Sequence, residues 1–223
     1  MAETRRISLF PLPSSVFFPA TRLPLHIFER RYREMTAHAI ETGQWIGMVL
    51  LQPGWEADYY GRPAVKPIGC AGKVEKWVAH PDGKYDIVLL GQSRFRILHE
   101  VGEAEFREAE VELLDNLNDA PIDKTPGSPF YHIAKRFWEF RDRLPEERQG
   151  ELELDVQNCR SLGDVVDRMA WLFDLGLEEK QAFLEEQDVN RRIRTLEAVL
   201  DFKTRLIHQS ARFARKGLDS RLN

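Results

Sequence analysis

Short runs of apolar residues fill the first half of the chain, several of them alternating with polar residues in the manner of strands wet on one face. Ile7 to Leu12 and Trp45 to Leu51 are two such runs. Val74 to Ala79 and Tyr85 to Leu90 flank Asp82-Gly83, and Asp-Gly between apolar runs predicts a tight β-hairpin. No βαβ rhythm separates the runs. We therefore expect a mostly antiparallel barrel or sandwich.

One helix is predicted within this half. Apolar residues recur at helical spacing at Phe28, Tyr32, Met35 and Ala39, with Gly43 after them. The predicted helix runs from Phe28 to Thr42, and its single apolar stripe must be buried, so we expect it to close the barrel. The apolar stretch from Phe17 to Phe28 is dense enough either to pack in the core or to line a groove.

A segment rich in Pro, Gly, Asn and Asp between Asn116 and Pro129 predicts a domain boundary. Beyond it the apolar period is helical, with a stripe from Phe130, another from Leu162 and a final helix of about 28 residues opened by Asp188. The sequence thus predicts an α+β protein. Residues 1–118 form a β-barrel domain with one helix, and residues 119–223 form a helical bundle with a long C-terminal helix.

The composition is that of a soluble globular chain. Of the 223 residues, 43% are hydrophobic and 30% charged, and 32 Lys and Arg against 36 Asp and Glu give a net charge of −4. That charge balance argues against a protein whose whole surface binds nucleic acid. No apolar run reaches the roughly 18 residues of a membrane helix and the start has no signal-peptide pattern, so we expect a cytoplasmic protein.

Several sets of catalytic and metal-binding residues are missing from the sequence. In Gly69-Cys70-Ala71-Gly72-Lys73 only two residues separate the glycines, where a phosphate-binding loop has four. The six histidines lack metal-ligand spacing, and no serine lies in a Gly-x-Ser-x-Gly turn. Cys70 and Cys159 are interpreted as small buried residues. No catalytic residue, metal or cofactor is predicted.

Segments in a fixed order resemble the N-terminal substrate-binding domain of the Lon protease family. The segments that carry the resemblance are Phe10 to Leu12, Val16 to Pro19, Leu23 to Tyr32, Ile68 to Val74, Gly91 to Ile97 and Leu177 to Glu185. The resemblance spans roughly residues 7 to 207. It implies a pseudobarrel of the PUA-like type beside a helical bundle.

In the full-length protease an ATPase module and a Ser-Lys peptidase module follow this domain, whereas this sequence ends at Asn223. The resemblance therefore implies a stand-alone Lon-domain protein without enzymatic activity. Its partners would be unfolded or exposed polypeptide segments, and its role that of an adaptor in protein quality control. RNA is the second candidate partner, since PUA-like barrels often bind RNA.

Besides the stretch from Phe17 to Phe28, two further surfaces are candidates for binding. The loop from Pro53 to Pro63 carries Trp55, Tyr59, Tyr60 and Arg62, residue types that are enriched at binding hot spots. We expect this loop to bind polypeptides, although its aromatic residues could instead cover the barrel end.

The final helix is the second surface. From Arg191 onward the sequence contains nine basic and three acidic residues, which gives a local charge of +6. The sequence leaves open whether this is a solvated helix face or a site for an acidic partner or RNA. The basic residues chosen for that site are Arg205, Arg212, Arg215 and Lys216.

Overall fold

The computed structural model describes residues 3–58, 61–102, 105–157 and 159–219, and the side chains of the last helix to residue 209. The described part of the chain forms two units. The first unit contains the chain up to Leu117 together with Asp174–Gln187. The second contains Asn118–Phe173 and the chain from Asp188 onward. The division after Leu117 lies beside the predicted boundary, but residues 174–187, which the sequence assigned to the helical bundle, join the first unit.

The first unit is built on a mixed sheet of six strands. They are β1 (Thr4–Leu12), β2 (Arg22–Ile27), β3 (Ile46–Leu50), β4 (Ile68–Ala79), β5 (Tyr85–Val101) and β6 (Arg107–Leu114). The strand order is β2-β5-β4-β3-β1-β6, and an additional pairing of β5 with β6 closes the five strands from β5 to β6 into a ring beside which β2 lies. Only β1 and β3 pair in parallel among these strands. The α+β class with a mostly antiparallel barrel is confirmed.

The first helix, α1, spans Arg30–Thr42 and packs against β1 and β2. Tyr32, Met35 and Ala39 are buried as the periodicity predicts. The predicted start at Phe28 is wrong, because Glu29 has an extended backbone conformation and Phe28 lies before the helix. The consequence is a large aromatic side chain outside the core, with 60% of its surface exposed.

Helix α5 (Leu177–Glu185) lies in the first unit, and several side-chain contacts tie it to the barrel. Arg94 on β5, with 1% of its surface exposed, donates from Nε to the carbonyl oxygen of Leu184 at 2.8 Å. Gln181 donates to the carbonyl oxygen of Ile68 at 3.0 Å, and the ring of Phe183 meets that of Phe18 edge-on at 6.0 Å. Helical periodicity alone does not reveal such partners.

The second unit is helical. Its helices are α2 (Pro129–Arg141), α3 (Glu146–Gln149), α4 (Leu162–Leu172) and α6 (Val189–Asp219). In its core, the ring centroid of Phe173 lies 5.7 Å from that of Phe137 and 5.6 Å from that of Phe140. Asp119, before the first helix of this unit, accepts hydrogen bonds from the Gly163 amide and the Ser161 hydroxyl, and so caps the start of α4.

A buried ion pair joins α4 to α6. The Arg192 guanidinium contacts the Asp167 carboxylate, and both side chains have 0% of their surface exposed. Burial of two charges is costly, and their mutual attraction offsets that cost only while both are present.

Removing one partner of this pair should therefore destabilise the protein strongly. We expect Arg192→Met or Asp167→Leu alone to lower the free energy of unfolding by about 3–5 kcal/mol, and the double variant to recover most of that loss. Denaturant titration measures all three. Lys135→Ala, which removes an exposed pair with Glu139 in the same unit, is the matched control and should cost less than about 1 kcal/mol. A double variant that merely adds the two single losses would contradict this account.

The prediction that both cysteines are buried is confirmed for Cys70 and is wrong for Cys159. Cys70 on β4 is buried, and Cys159 before α4 is half-buried. Burial raises the pKa of the Cys159 thiol to about 11. Its thiol is therefore protonated at neutral pH, the opposite of what a nucleophilic cysteine requires.

Cys159 should accordingly resist alkylation. In a Cys70→Ala variant at pH 8, we expect iodoacetamide to modify Cys159 roughly a hundredfold more slowly than an ordinary thiol with a pKa near 8.5, because far less thiolate is present. The rate should increase as the pH is raised toward 11 and should reach the ordinary value in urea. Mass spectrometry of the modified chain follows the reaction, and equal rates in native and unfolded protein would contradict the prediction.

Candidate functional site

A groove of about 530 Å³ opens in the first unit where β1 and β2 end and α1 begins. We call it the α1 groove. Its lining consists of residues 10–13 and 25–29, Arg31 and Tyr32, Leu51, and residues 61–63 and 105–107. This volume lies within the range of ligand-binding clefts. Prolines at 11, 13 and 63 contribute side chains to the lining without an amide N–H to satisfy.

The floor of the groove is aromatic. The rings of Phe10 on β1 and Tyr32 on α1 lie 4.1 Å apart between centroids, and both residues are buried. The Arg31 guanidinium lies 4.7 Å from the Tyr32 ring, within cation–π distance, and its Nη2 is 3.1 Å from the Glu29 carboxylate. Arg31 is thus held from two sides, and the floor is a preformed apolar surface.

Phe28 forms the rim. With 60% of its surface exposed, it is the most exposed large apolar side chain in the described part of the chain. The place of Phe28 relative to the start of α1 explains this exposure. Phe28 occupies the place before the N-cap residue Glu29, where an apolar residue normally packs on the fourth residue of the helix. That residue here is Arg33, so Phe28 has no apolar partner at that position.

A fixed histidine stands beside Phe28. The rings of His26 and Phe28 are stacked at 6.2 Å. His26 Nδ1 lies 2.6 Å from one oxygen of Asp86, and His80 Nε2 lies 2.6 Å from the other. Hydrogen bonds from His26 and His80 hold the pKa of the Asp86 carboxyl below its ordinary value. The carboxylate therefore stays ionised at neutral pH and keeps the His26 ring in place.

Arginines and a shared carboxylate build the polar wall. Arg107 donates from Nε to Glu100 at 3.0 Å and from Nη1 to the carbonyl oxygen of Pro63 at 2.8 Å. Arg62 approaches the same Glu100 carboxylate at 3.8 Å and keeps half of its side chain exposed. Arg107 is thereby immobilised, whereas Arg62 can reach a bound molecule.

Of the loop residues predicted from the sequence to bind polypeptides, some line the α1 groove and others do not. Arg62 lines the α1 groove, while Trp55 is half-buried on a short 3₁₀ helix, Trp55–Asp58, and does not line it. Tyr59 and Tyr60 lie outside the described residues. Sequence reasoning missed the aromatic floor, because Phe10 and Tyr32 come from different elements and each follows the pattern of an ordinary core residue.

The basic residues of the final helix are only partly described. Arg205 on α6 is exposed. The side chains of Arg212, Arg215 and Lys216 lie outside the described residues.

The described ranges hold neither a metal site nor a membrane-spanning helix. No group of three or more His, Cys, Asp or Glu side chains there is arranged to hold a metal ion. No helix in those ranges is both long and apolar enough to cross a membrane.

Comparison with known proteins places the chain among relatives of one kind. A family model for the substrate-binding domain of the ATP-dependent protease La (LON) matches residues 6–201. Lon protease 2 of Myxococcus xanthus is 28% identical over 210 residues, which cover 92% of this chain and 24% of that protein. Lon protease of Paraburkholderia phytofirmans is 29% identical over 202 residues, covering 86% and 23%. The chain therefore spans about a quarter of the length of the curated relatives it matches.

Solved structures share the fold. The Lon N-terminal domain protein from Xanthomonas campestris aligns with a TM-score of 0.61 and 24% identity, covering 87% of this chain and 98% of that one. The N-terminal domain of the Mycobacterium avium complex Lon protease aligns with a TM-score of 0.62 and 15% identity, covering 90% and 98%. Since the family model matches most of its length, this chain belongs to the Lon substrate-binding domain family.

Proposed function

We propose that this chain is a non-enzymatic, cytoplasmic module that binds exposed segments of unfolded polypeptides in the α1 groove, as an adaptor in protein quality control. Family membership supports a role in substrate binding, because the matching family model is that of the substrate-binding domain of the Lon protease. The observation that carries the proposal is the exposed Phe28 ring at the rim of a groove with an aromatic floor.

The chemistry of the groove suits an unfolded chain. Such a chain exposes large apolar side chains, and burying one is worth about 1.5–3 kcal/mol. Phe28 and the floor of Phe10 and Tyr32 offer rigid aromatic surface that loses little conformational entropy on binding. Since their contacts are apolar and do not depend on direction, they favour apolar segments in general over one particular sequence.

The polar wall supplies a second contribution. Half-exposed Arg62 lies within the lining and carries five N–H donors, enough to bind the backbone carbonyl oxygens of an extended segment. The predicted loop therefore contributes Arg62 to the proposed binding site. Trp55 remains a proposed contact at the outer end of the same loop.

Phe28→Ala should weaken binding without affecting stability. We expect at least a tenfold increase in the Kd for a fluorescently labelled, reduced and carboxymethylated protein, equivalent to about 1.4 kcal/mol. The melting temperature should stay close to that of the parent chain, because the removed ring is mostly exposed. Fluorescence anisotropy measures the Kd.

Trp77→Ala is the matched control, since Trp77 on β4 is 51% exposed and does not line the α1 groove. It should bind as the parent chain does. If Trp55→Ala weakens binding while Phe28→Ala does not, the site lies in the loop instead. If the parent chain ignores unfolded proteins at high concentration, the proposed function is wrong.

A further inference from the structure

The last helix, α6, carries an apolar stripe that its own unit does not cover. Leu196 and Leu200 are buried in the helical core. Beside them Val199, Phe202 and Leu206 follow at spacings of three and four residues, which places them along one side of the helix. Phe202 is 56% exposed and Leu206 45% exposed. Amphipathic helices dock on their partners through apolar residues at such spacings.

The stripe points away from α2. Between residues 189 and 209, α6 has two carboxylates, Glu197 and Asp201, and Arg136 on α2 forms ion pairs with both. His132 on α2 also lies 3.1 Å from Glu197. Successive residues of a helix are rotated by 100°, so Phe202 lies well round the helix from the side that α2 covers.

The border of the stripe on the side nearer α2 is positively charged. Arg194 and Arg205 are exposed, and their separation of eleven residues, about three helical turns, puts them on the same line beside Phe202. The only carboxylates of α6 in this range are those already paired with Arg136. An apolar stripe bordered by exposed arginines is complementary to an apolar stripe bordered by carboxylates.

We propose that this face of α6 docks an acidic amphipathic helix of a partner protein. Its apolar residues would cover Val199, Phe202 and Leu206, and its carboxylates would meet Arg194 and Arg205. A second copy of this chain fits less well, because its own arginines would oppose these two. RNA also fits less well, since phosphates would pair with the arginines but leave Leu206 exposed to water.

A pair of designed peptides tests this proposal. One consists of three heptads with Leu at the a and d positions and Glu at e and g, and the other replaces each Glu with Lys. We expect the full chain to bind the Glu peptide at least tenfold more tightly than the Lys peptide. That preference should decrease with added salt, because screening weakens the charge contacts. Fluorescence anisotropy of labelled peptides gives both affinities.

Variants locate the binding on α6. Phe202→Ala combined with Leu206→Ala should weaken binding of the Glu peptide at least tenfold, and Arg205→Glu should abolish the preference for Glu over Lys. Leu98→Ala removes a side chain of similar exposure from β5 and should change nothing. Phe28→Ala should also leave this binding unchanged, which separates the proposal from the polypeptide site in the α1 groove.

Four outcomes would overturn the proposal. Equal binding of the two peptides, or none, removes the charge complementarity. Unchanged binding by the double variant moves the site off the stripe. Sedimentation that shows a dimer of the parent chain, lost in the double variant, assigns the stripe to a second copy. Retardation of single-stranded RNA that Arg205→Glu abolishes and the double variant leaves intact assigns the face to nucleic acid.

Discussion

A close backbone approach at Gly91 determines how the first unit is assembled. A Cβ atom on this residue would lie 2.1 Å from the carbonyl oxygen of Phe18, so only glycine lets the two backbones meet. The Ala20 amide donates to the Gly91 carbonyl at 3.0 Å, and the Gly91 amide donates to the carbonyl of Thr21 at 2.9 Å. These bonds set β2 beside the first half of β5. Because β2 supplies one wall of the α1 groove, the groove depends on this crossing.

The same strand connects the barrel to a distant segment. Beyond Gly91, β5 leaves β2 and pairs with β6 from Arg94 onward. The buried Arg94 guanidinium donates to the last turn of α5 through the carbonyl of Leu184. A cation is favourable at a helix C-terminus, where carbonyl groups lack partners. Strand β5 therefore organises both the wall of the groove and the return of residues 174–187 to the barrel.

Local patterns predicted most of the elements but not their partners. The Asp82-Gly83 hairpin and the helical stripes depend on neighbours in sequence, and the structure contains them. Strand β2 was missed because Pro24 interrupts its six residues, and proline is tolerated there only because β2 pairs with β5 alone among the described strands. The capping partner of α4 was also missed, since Asp119 lies over forty residues before the helix. Long-range pairings of this kind leave no periodic signal.

Charge neutralisation distinguishes the two proposed surfaces. In the α1 groove Arg31 is paired with Glu29, and Arg107 with Glu100, so the charges on its walls are largely cancelled. The recognition proposed there relies on apolar burial, which moderate salt hardly changes. On α6 the carboxylates are already used by Arg136, and the arginine border keeps its charge. The binding proposed for α6 should therefore depend on ionic strength, whereas the binding proposed for the groove should depend on how much apolar surface a polypeptide exposes.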